Sequence, residues 1–256
     1  MAAAKKKKKS THGKHRTKPV KGARKGRRNK AARPPVVVDP AKPANAVYKT
    51  LDKDPTYGAE FKFEWTVGGC FNASCTQRHA NITTAGWKEK YIVSVKVPEI
   101  PKLGAMRFHK RIAPQFEAFF KAGAAKGLAG KIVNNAGAFT ARTITNNQAR
   151  LSNHALGTAI DVNSEQNGYG AQPAARGTHG SLSEYADFCT DFGLYWGGWY
   201  ERNKDAMHFE AVKVMTAAEL QAACTKHGVA YASLAQSPDA AAPANVPIPQ
   251  PRPKGL

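Results

Sequence analysis

The stretch that decides the fold runs from Arg150 to Asn163 and reads RLSNHALGTAIDVN. It follows the pattern S-x-H-x-x-G-x-A-x-D, which places His154 ahead of Asp161 in one short segment. Its last five residues alternate small or polar side chains with apolar ones, and this predicts a strand with Asp161 and Asn163 on one face. Gly157 permits a tight bend, so His154 is expected to return over that face.

A second patch, DAMHFE, begins at Asp205. His208 and Glu210 are expected on one face of another short strand, with Asp205 in the turn before it. Any one of these side chains would fit a hydrogen-bonded structural role. Together, however, His154, Asp161 and His208 supply two imidazoles and one carboxylate, the ligand set of an open catalytic zinc site. Asp205 is then placed to act as a base.

These two motifs resemble those of the LAS-type zinc peptidases of bacterial cell walls. That group includes D-alanyl-D-alanine carboxypeptidases and dipeptidases, and phage L-alanyl-D-glutamate endopeptidases. The resemblance covers residues 100 to 215 and makes His154, Asp161 and His208 the zinc ligands and Asp205 the general base. It implies an α+β fold of the Hedgehog/DD-peptidase type, in which helices flank a small antiparallel sheet. An Asp as the base, and the WGGW segment ending at Trp199, resemble the phage endopeptidase branch.

The resemblance also suggests residues that meet the substrate. Arg142 resembles the family arginine that steadies the substrate carbonyl, and is predicted to be catalytic. Ser152 is predicted to bind substrate, although a structural hydroxyl is an alternative. Asn163 is expected either to orient the ligands or to bind substrate. Trp199 is expected to wall the cleft, with core packing of its ring as the alternative.

The function these features favour is zinc-dependent hydrolysis of a peptide bond in the peptidoglycan stem peptide. The first expectation is a bacteriolytic L-Ala–D-Glu endopeptidase that resembles a phage endolysin. A D-Ala-D-Ala carboxypeptidase of the same family is the alternative. A non-catalytic, basic protein that binds nucleic acid or the cell envelope is an alternative of another class. No G-x-S-x-G elbow, phosphate loop or dinucleotide fingerprint appears in the sequence.

The charge balance is strongly basic. The 256 residues include 39 Lys and Arg against 18 Asp and Glu, a formal net charge of +21. Residues 1–45 carry the run Lys5–Lys9 and few apolar side chains, so this tail is predicted to be disordered. It is expected to adhere to an anionic polymer such as lipopolysaccharide, a membrane surface or nucleic acid, or else only to aid solubility.

The sequence shows no run of the ~18 apolar residues that a membrane span needs, and no apolar stretch of a secretory signal follows the basic N-terminus. The expectation is therefore a protein held in the cytoplasm until it is released. It would then act on the wall in the periplasm or outside the cell. It is expected to act as a monomer.

Four segments are predicted along the chain: the basic tail of residues 1–45, a β-rich extension of residues 46–100, the zinc peptidase domain of residues 101–232, and an Ala- and Pro-rich tail of residues 233–256. Strands are predicted around the alternating Phe61, Phe63 and Trp65 and over residues 91–97, with a turn at residues 68–69. Helices are predicted over residues 114–125, 181–192 and 216–227, and the last two start with capping boxes.

The chain has four cysteines. Without an export signal, reduced thiols are the default expectation, and a disulfide in the periplasm is the alternative. Cys189 and Cys224 fall on apolar faces of predicted helices, which indicates buried free thiols. Cys70, Cys75 and His79 have the spacing of part of a metal site, but the sequence offers no evident fourth ligand.

Overall fold

The computed structural model describes residues 40–233, which fall within one compact unit. Residues 1–39 of the predicted basic tail (residues 1–45) and residues 234–256 of the predicted Ala- and Pro-rich tail lie outside the described residues. Residues 40–45 are described and differ from a disordered tail at Pro40, which is buried and accepts a hydrogen bond from the Trp199 indole. Helices and small antiparallel sheets both occur, which agrees with the predicted α+β class. No helix in the described part of the chain is long and apolar enough to cross a membrane.

The described residues contain ten strands and four α-helices. The strands are β1 (Trp65–Cys70), β2 (Arg78–Ile82), β3 (Ile92–Lys96), β4 (Ala105–His109), β5 (Asn135–Gly137), β6 (Thr143–Ile144), β7 (Asn147–Leu151), β8 (Ala159–Val162), β9 (Leu194–Trp196) and β10 (His208–Ala211). The helices are α1 (Trp87–Tyr91), α2 (Ala113–Ala125), α3 (Ser183–Cys189) and α4 (Ala217–Lys226). Short 3-10 turns join them, including Gly58–Phe61, Asn153–Leu156 and Gly197–Trp199.

The largest sheet is antiparallel, with the strand order β5-β8-β10-β9. Its register sets His208 directly opposite Asp161 and Phe209 opposite Ile160. Three hairpins, β1–β2, β3–β4 and β6–β7, lie outside this sheet. The two sequence motifs thus occupy neighbouring strands, and their polar residues meet across the ladder.

One face of the sheet is covered by helices. Ile160 and Val162 of β8 and Phe209 of β10 are fully buried in the main hydrophobic cluster. The Phe209 ring lies 5.1 Å from that of Phe119 in α2. Burial of each such side chain contributes about 1.5–3 kcal/mol to folding, so this packing fixes which face turns inward. Because side chains alternate along a strand, Asp161 and His208 point to the opposite face.

The segment before residue 100 packs onto the same core. Leu51 and Phe61 belong to the main hydrophobic cluster. Glu60 receives a bidentate hydrogen bond from Arg111, at 2.8 and 2.9 Å. Its carbonyl oxygen also accepts a bond from the Trp87 indole at 3.1 Å. The Arg111 contact joins the segment before residue 100 to the following region, and the Trp87 bond ties the segment together internally.

Most predicted helices are found where expected. The helix of residues 114–125 is α2, and α4 has the predicted capping box, with Thr216 and Glu219 bonded to one another's backbone. The prediction for residues 181–192 is only partly right. The α-helix begins at Ser183 and continues as the 3-10 turn Thr190–Phe192, while the Ser181 hydroxyl donates to the Glu184 carboxylate instead of capping the helix.

Before residue 100, some expectations are wrong and others are only partly right. Phe61 lies in a 3-10 turn and only the segment from Trp65 is a strand, which runs through residues 68–69 without a turn. Residue 91 ends α1, so the predicted strand of residues 91–97 is shorter. Cys70 and Cys75 are joined in a disulfide, so neither is a reduced thiol nor a metal ligand beside His79. Cys189 and Cys224 are buried and free, as predicted.

Candidate metal centre

His154 is positioned by the turn that the motif encodes. The Ser152 hydroxyl caps the 3-10 turn Asn153–Leu156 by accepting from the His154 backbone N–H. Gly157 ends that turn with φ of 68°, the left-handed conformation that favours glycine. A Cβ here would also lie 2.7 Å from the backbone nitrogen of His109. The predicted bend therefore exists, and it returns the chain into β8 with His154 over Asp161.

The three predicted ligands converge. The Asp161 carboxylate lies 2.8 Å from His208 Nδ1 and 3.1 Å from His154 Nε2. The two imidazole nitrogens are 3.2 Å apart. In tetrahedral zinc sites, nitrogen and oxygen ligands sit about 2.0–2.2 Å from the ion and therefore roughly 3.3 Å from each other. The spacing and the chemistry of these donors thus fit a zinc ion.

Hydrogen bonds orient the His154 ring for this role. Its Nδ1 lies 2.8 Å from the carbonyl oxygen of Ala138, which can only accept, so Nδ1 carries the proton. That tautomer leaves a lone pair on Nε2, the atom facing Asp161 and His208. Burial also lowers the pKa of His154, against the charge of Asp161, and so favours the neutral ring that binds metals.

A buried carboxylate supports His208 from behind. Glu210 is fully buried, and its oxygens accept hydrogen bonds from the Tyr200 hydroxyl and the Asn153 amide. Its Oε2 lies 3.9 Å from His208 Nε2. Burial opposes charge on His208, but Asp161 and Glu210 outweigh it and hold its pKa well above the usual range. Although burial would raise the pKa of Asp161, the two imidazoles lower it.

Asp205 lies in the turn before β10, beside the ligands. Its Oδ1 is buried and has no hydrogen-bond partner among the described residues. Burial raises its pKa to about 6, helped by the charges of Asp161 and Glu210 and opposed by His208 and Arg142. An unpaired, buried carboxylate oxygen with a raised pKa is suited to accepting a proton from a substrate or water.

The glycines of the WGGW segment bring its backbone close to Asp205. Gly197 accepts a hydrogen bond from the Asp205 backbone N–H at 3.0 Å. A Cβ on Gly197 would lie 2.3 Å from the Asp205 carbonyl oxygen, and one on Gly198 would lie 2.4 Å from the Trp196 ring. The absence of side chains at these glycines therefore allows the segment to pass close to Asp205 and to the Trp196 ring.

Arg142 lies at the other side of the ligands. Its guanidinium nitrogen is 3.6 Å from Asp161 Oδ2, and it lines the same cleft as Asp205. Burial lowers its pKa, while Asp161 and Asp205 favour its charge. The ring of Phe71 lies 5.7 Å from the guanidinium carbon. Arg142 therefore lies beside the ligand cluster and in the lining of the cleft, and its catalytic role stays a prediction.

The three predicted substrate contacts differ in their placement. Ser152 lines the cleft. Asn163 does not: it is fully buried, and its amide bonds the backbone at Lys131, Val133 and Gly180, so it fixes loops instead of meeting a substrate. Trp199 is 8% exposed and donates to the Pro40 carbonyl oxygen, so its ring packs in the core, which was the alternative to a cleft wall.

The cleft beside these groups has a volume of about 490 Å³. Tyr48 and Tyr169 line it and are half exposed. Sequence reasoning also did not place in this lining the cationic or polar Lys62, Arg202, Tyr200 and Asn153, nor apolar side chains such as Phe63 and Trp65. Glu210, Tyr200 and Asn153 were all missed as site residues. Only Glu210 had a signal in the sequence, because it was expected on the same strand face as His208.

Comparison with known proteins agrees with this geometry. Residues 145–211 match a family model described as D-alanyl-D-alanine carboxypeptidase. The match spans about a quarter of the chain and contains His154, Asp161, Asp205 and His208, but not Arg142. No curated protein and no solved structure matches the chain significantly.

The matched segment, together with the His-Asp-His cluster, supports a peptidase with a candidate metal centre. Its particular likeness is to carboxypeptidases that act on D-alanyl-D-alanine, which points to peptidoglycan-related peptidase activity.

Proposed function

We propose that the protein is a zinc-dependent peptidase that hydrolyses a peptide bond in the peptidoglycan stem peptide. One observation carries the proposal: the ligand atoms of His154, Asp161 and His208 lie within 4.8 Å of one another, and the two histidines line a cleft. Zinc held there, with one coordination position left for substrate, would supply Lewis acidity to the attacking water and the scissile carbonyl.

The side chains of the chain itself supply the remaining chemistry. Asp205, with its unpaired Oδ1, accepts a proton from the attacking water and passes it to the leaving amine. Arg142 opposes the negative charge that develops on the carbonyl oxygen. Removing one such stabilising group typically lowers kcat by about 10²–10³-fold. Glu210 is held by hydrogen bonds from Asn153 and Tyr200, and in that position it orients the His208 ring.

The charge of the cleft fits an acidic peptide. Lys62, Arg142, Arg150 and Arg202 line it, against the carboxylates of Asp52 and Asp205. Stem peptides carry free carboxylates, which would find these cations along the walls. We favour the bond between L-Ala and D-Glu, because the base is an Asp, as in the endopeptidases that the motif resembles. Cleavage at a terminal D-Ala is the alternative that the matched family description favours.

We further propose that the basic tail attaches the enzyme to an anionic polymer of the cell envelope. The run Lys5–Lys9 lies in this tail, and the chain has a formal net charge of +21. Such attachment would concentrate the peptidase on its insoluble substrate through electrostatic attraction.

The decisive experiment is digestion of purified sacculi with the zinc-loaded protein, followed by mass spectrometry of the soluble products. New D-Glu amino termini are expected. Release of D-Ala alone would instead identify a carboxypeptidase. Intact sacculi, together with salt-sensitive retention of DNA, would reveal a binding protein and refute the proposal.

His154→Ala is expected to abolish both the bound zinc and the hydrolysis. His179→Ala is the matched control, because His179 is an exposed histidine outside the cleft lining.

A further inference from the structure

A hairpin before residue 83 holds the segment that carries Arg142. The backbone N–H of Ala80 donates to the Ala141 carbonyl oxygen at 2.9 Å, and that of Asn146 donates to the Thr76 carbonyl oxygen at 2.8 Å. His79 and Arg142 themselves form an isolated antiparallel bridge. Arg142 therefore lies directly before β6, in a segment that the β1–β2 hairpin holds along one side.

Side chains strengthen this attachment. Thr143, next to Arg142, accepts a bond from the Arg78 backbone N–H at 3.0 Å and another from the Gln77 amide at 3.4 Å. The ring of Phe71 faces the Arg142 guanidinium at 5.7 Å and contacts the His79 ring at 5.2 Å. The end of the hairpin thus touches both the backbone and the side chain of this segment.

A disulfide closes this end of the hairpin. Cys70 is the last residue of β1 and is bonded to Cys75, five positions on. Phe71 lies inside the loop that this bond closes, and Thr76 and Gln77 follow it directly. Cys70 is exposed, so the bond is open to reagents in solution, whereas Cys189 and Cys224 are buried.

We propose that the Cys70–Cys75 disulfide is a redox latch that positions Arg142, so that hydrolysis is faster in the oxidised than in the reduced protein. The proposal rests on the function proposed above. A dithiol would break the S–S bond, giving two thiols and its own disulfide in a transfer of two electrons and two protons, and an oxidised dithiol would reverse this. The peptidase would therefore gain activity on passing from a reducing to an oxidising compartment.

The expected effect is smaller than that of losing Arg142. Reduction leaves the guanidinium in the chain but frees the loop that carries Phe71 and the backbone bond at Thr76. A catalytic group misplaced by a fraction of an ångström lowers kcat by an order of magnitude or so, so we expect a fall of about 3- to 30-fold. KM and zinc content are expected to stay near those of the oxidised protein, because none of the three predicted ligands lies in the hairpin.

The test measures kcat on soluble muropeptides for the full chain before and after reduction. A phosphine reductant is used, because it removes the disulfide by becoming a phosphine oxide and, unlike a dithiol, binds zinc weakly. The double variant Cys70→Ser, Cys75→Ser is expected to have the kcat of the reduced protein, and its kcat should not change when the reductant is added. An Arg142→Gln chain should show no further response to reduction, since the latch acts only through that side chain.

Hydrogen exchange gives a readout that does not depend on catalysis. Amides of residues 141–146 are expected to exchange faster after reduction, while those of β8 and β10 stay protected. Equal exchange in both redox states would overturn the latch, as would equal kcat, or an undiminished redox response in Arg142→Gln. If the oxidised protein cuts no muropeptide at all, the proposed function fails, and the exchange measurement alone still decides about the latch.

Discussion

Replacing Gly197 by alanine tests whether the close contact between the WGGW segment and Asp205, the predicted base, is needed for catalysis. An ideal Cβ at this position lies 2.3 Å from the Asp205 carbonyl oxygen and 3.1 Å from His208 Cβ. Gly197 is not among the residues with positive φ, so the expected cost is a steric one. The same Asp205 oxygen accepts the His208 backbone N–H at 3.0 Å, so its displacement also reaches a predicted ligand.

The size of the effect follows from the overlap. Real Cβ atoms essentially never approach another atom closer than 3.0 Å, so the Asp205 backbone must retreat by at least 0.7 Å from its present 2.3 Å. Shifts near 1 Å at a catalytic group lower the rate by about 10²-fold. We therefore expect kcat of Gly197→Ala to fall about 30- to 100-fold. Overpacking of this kind should also lower the free energy of unfolding by about 1–3 kcal/mol.

The assay combines kcat on muropeptides, bound zinc by atomic absorption, and the melting temperature. Gly130→Ala is the matched control, because a Cβ there meets nothing within 4 Å and its φ is not positive. That variant should retain its kcat and change stability by less than about 0.5 kcal/mol. A Gly197→Ala enzyme with normal kcat and normal melting temperature would refute the reasoning, since the close approach would then have no consequence.

Three further outcomes are expected. Asp205→Asn should keep its zinc and lose about 10²–10⁴-fold in kcat, because the mutation removes a proton acceptor whose Oδ1 bonds no described residue; an active variant would exclude Asp205 as the base. Glu210→Gln should weaken zinc affinity by about 10–100-fold in a chelator competition, because one of its two donors loses an acceptor, and unchanged affinity would contradict its role behind His208. Deleting residues 1–35 should leave muropeptide hydrolysis intact and reduce salt-sensitive attachment to whole cells, whereas an unchanged salt response would exclude the tail as an anchor.

Local patterns were enough to predict where the ligand residues meet. Period-two alternation set the faces of β8 and β10, and Gly157 marked the bend, because each depends only on residues close in sequence. The zinc, Asp205 and Arg142 roles stay predictions, but the three-dimensional arrangement that they need is present. Alternation also puts Glu210 beside His208, so its supporting position was available from the same pattern.

Interactions between distant segments were not predictable in the same way. Asn163 was expected on a strand face with Asp161, but β8 ends at Val162, Asn163 has φ of 54°, and loops from residues 131–134 and 180 bury it. Trp199 is covered by the chain near Pro40. The Cys70–Cys75 bond depends on a hairpin that brings the two residues together and on an oxidising environment. Neither condition can be predicted from the spacing of the two cysteines.

The register between β8 and β10 links the hydrophobic core to the candidate metal centre. His208 pairs with Asp161, and Phe209 with Ile160, on opposite faces of the same two strands. A slip of one residue would expose Phe209 in the cleft and push His208 into the packing around Phe119. Burying that imidazole and exposing that ring would each cost several kcal/mol, so the register is held by the core. The packing of Phe209 against α2 therefore fixes the face of the sheet on which His208 meets Asp161.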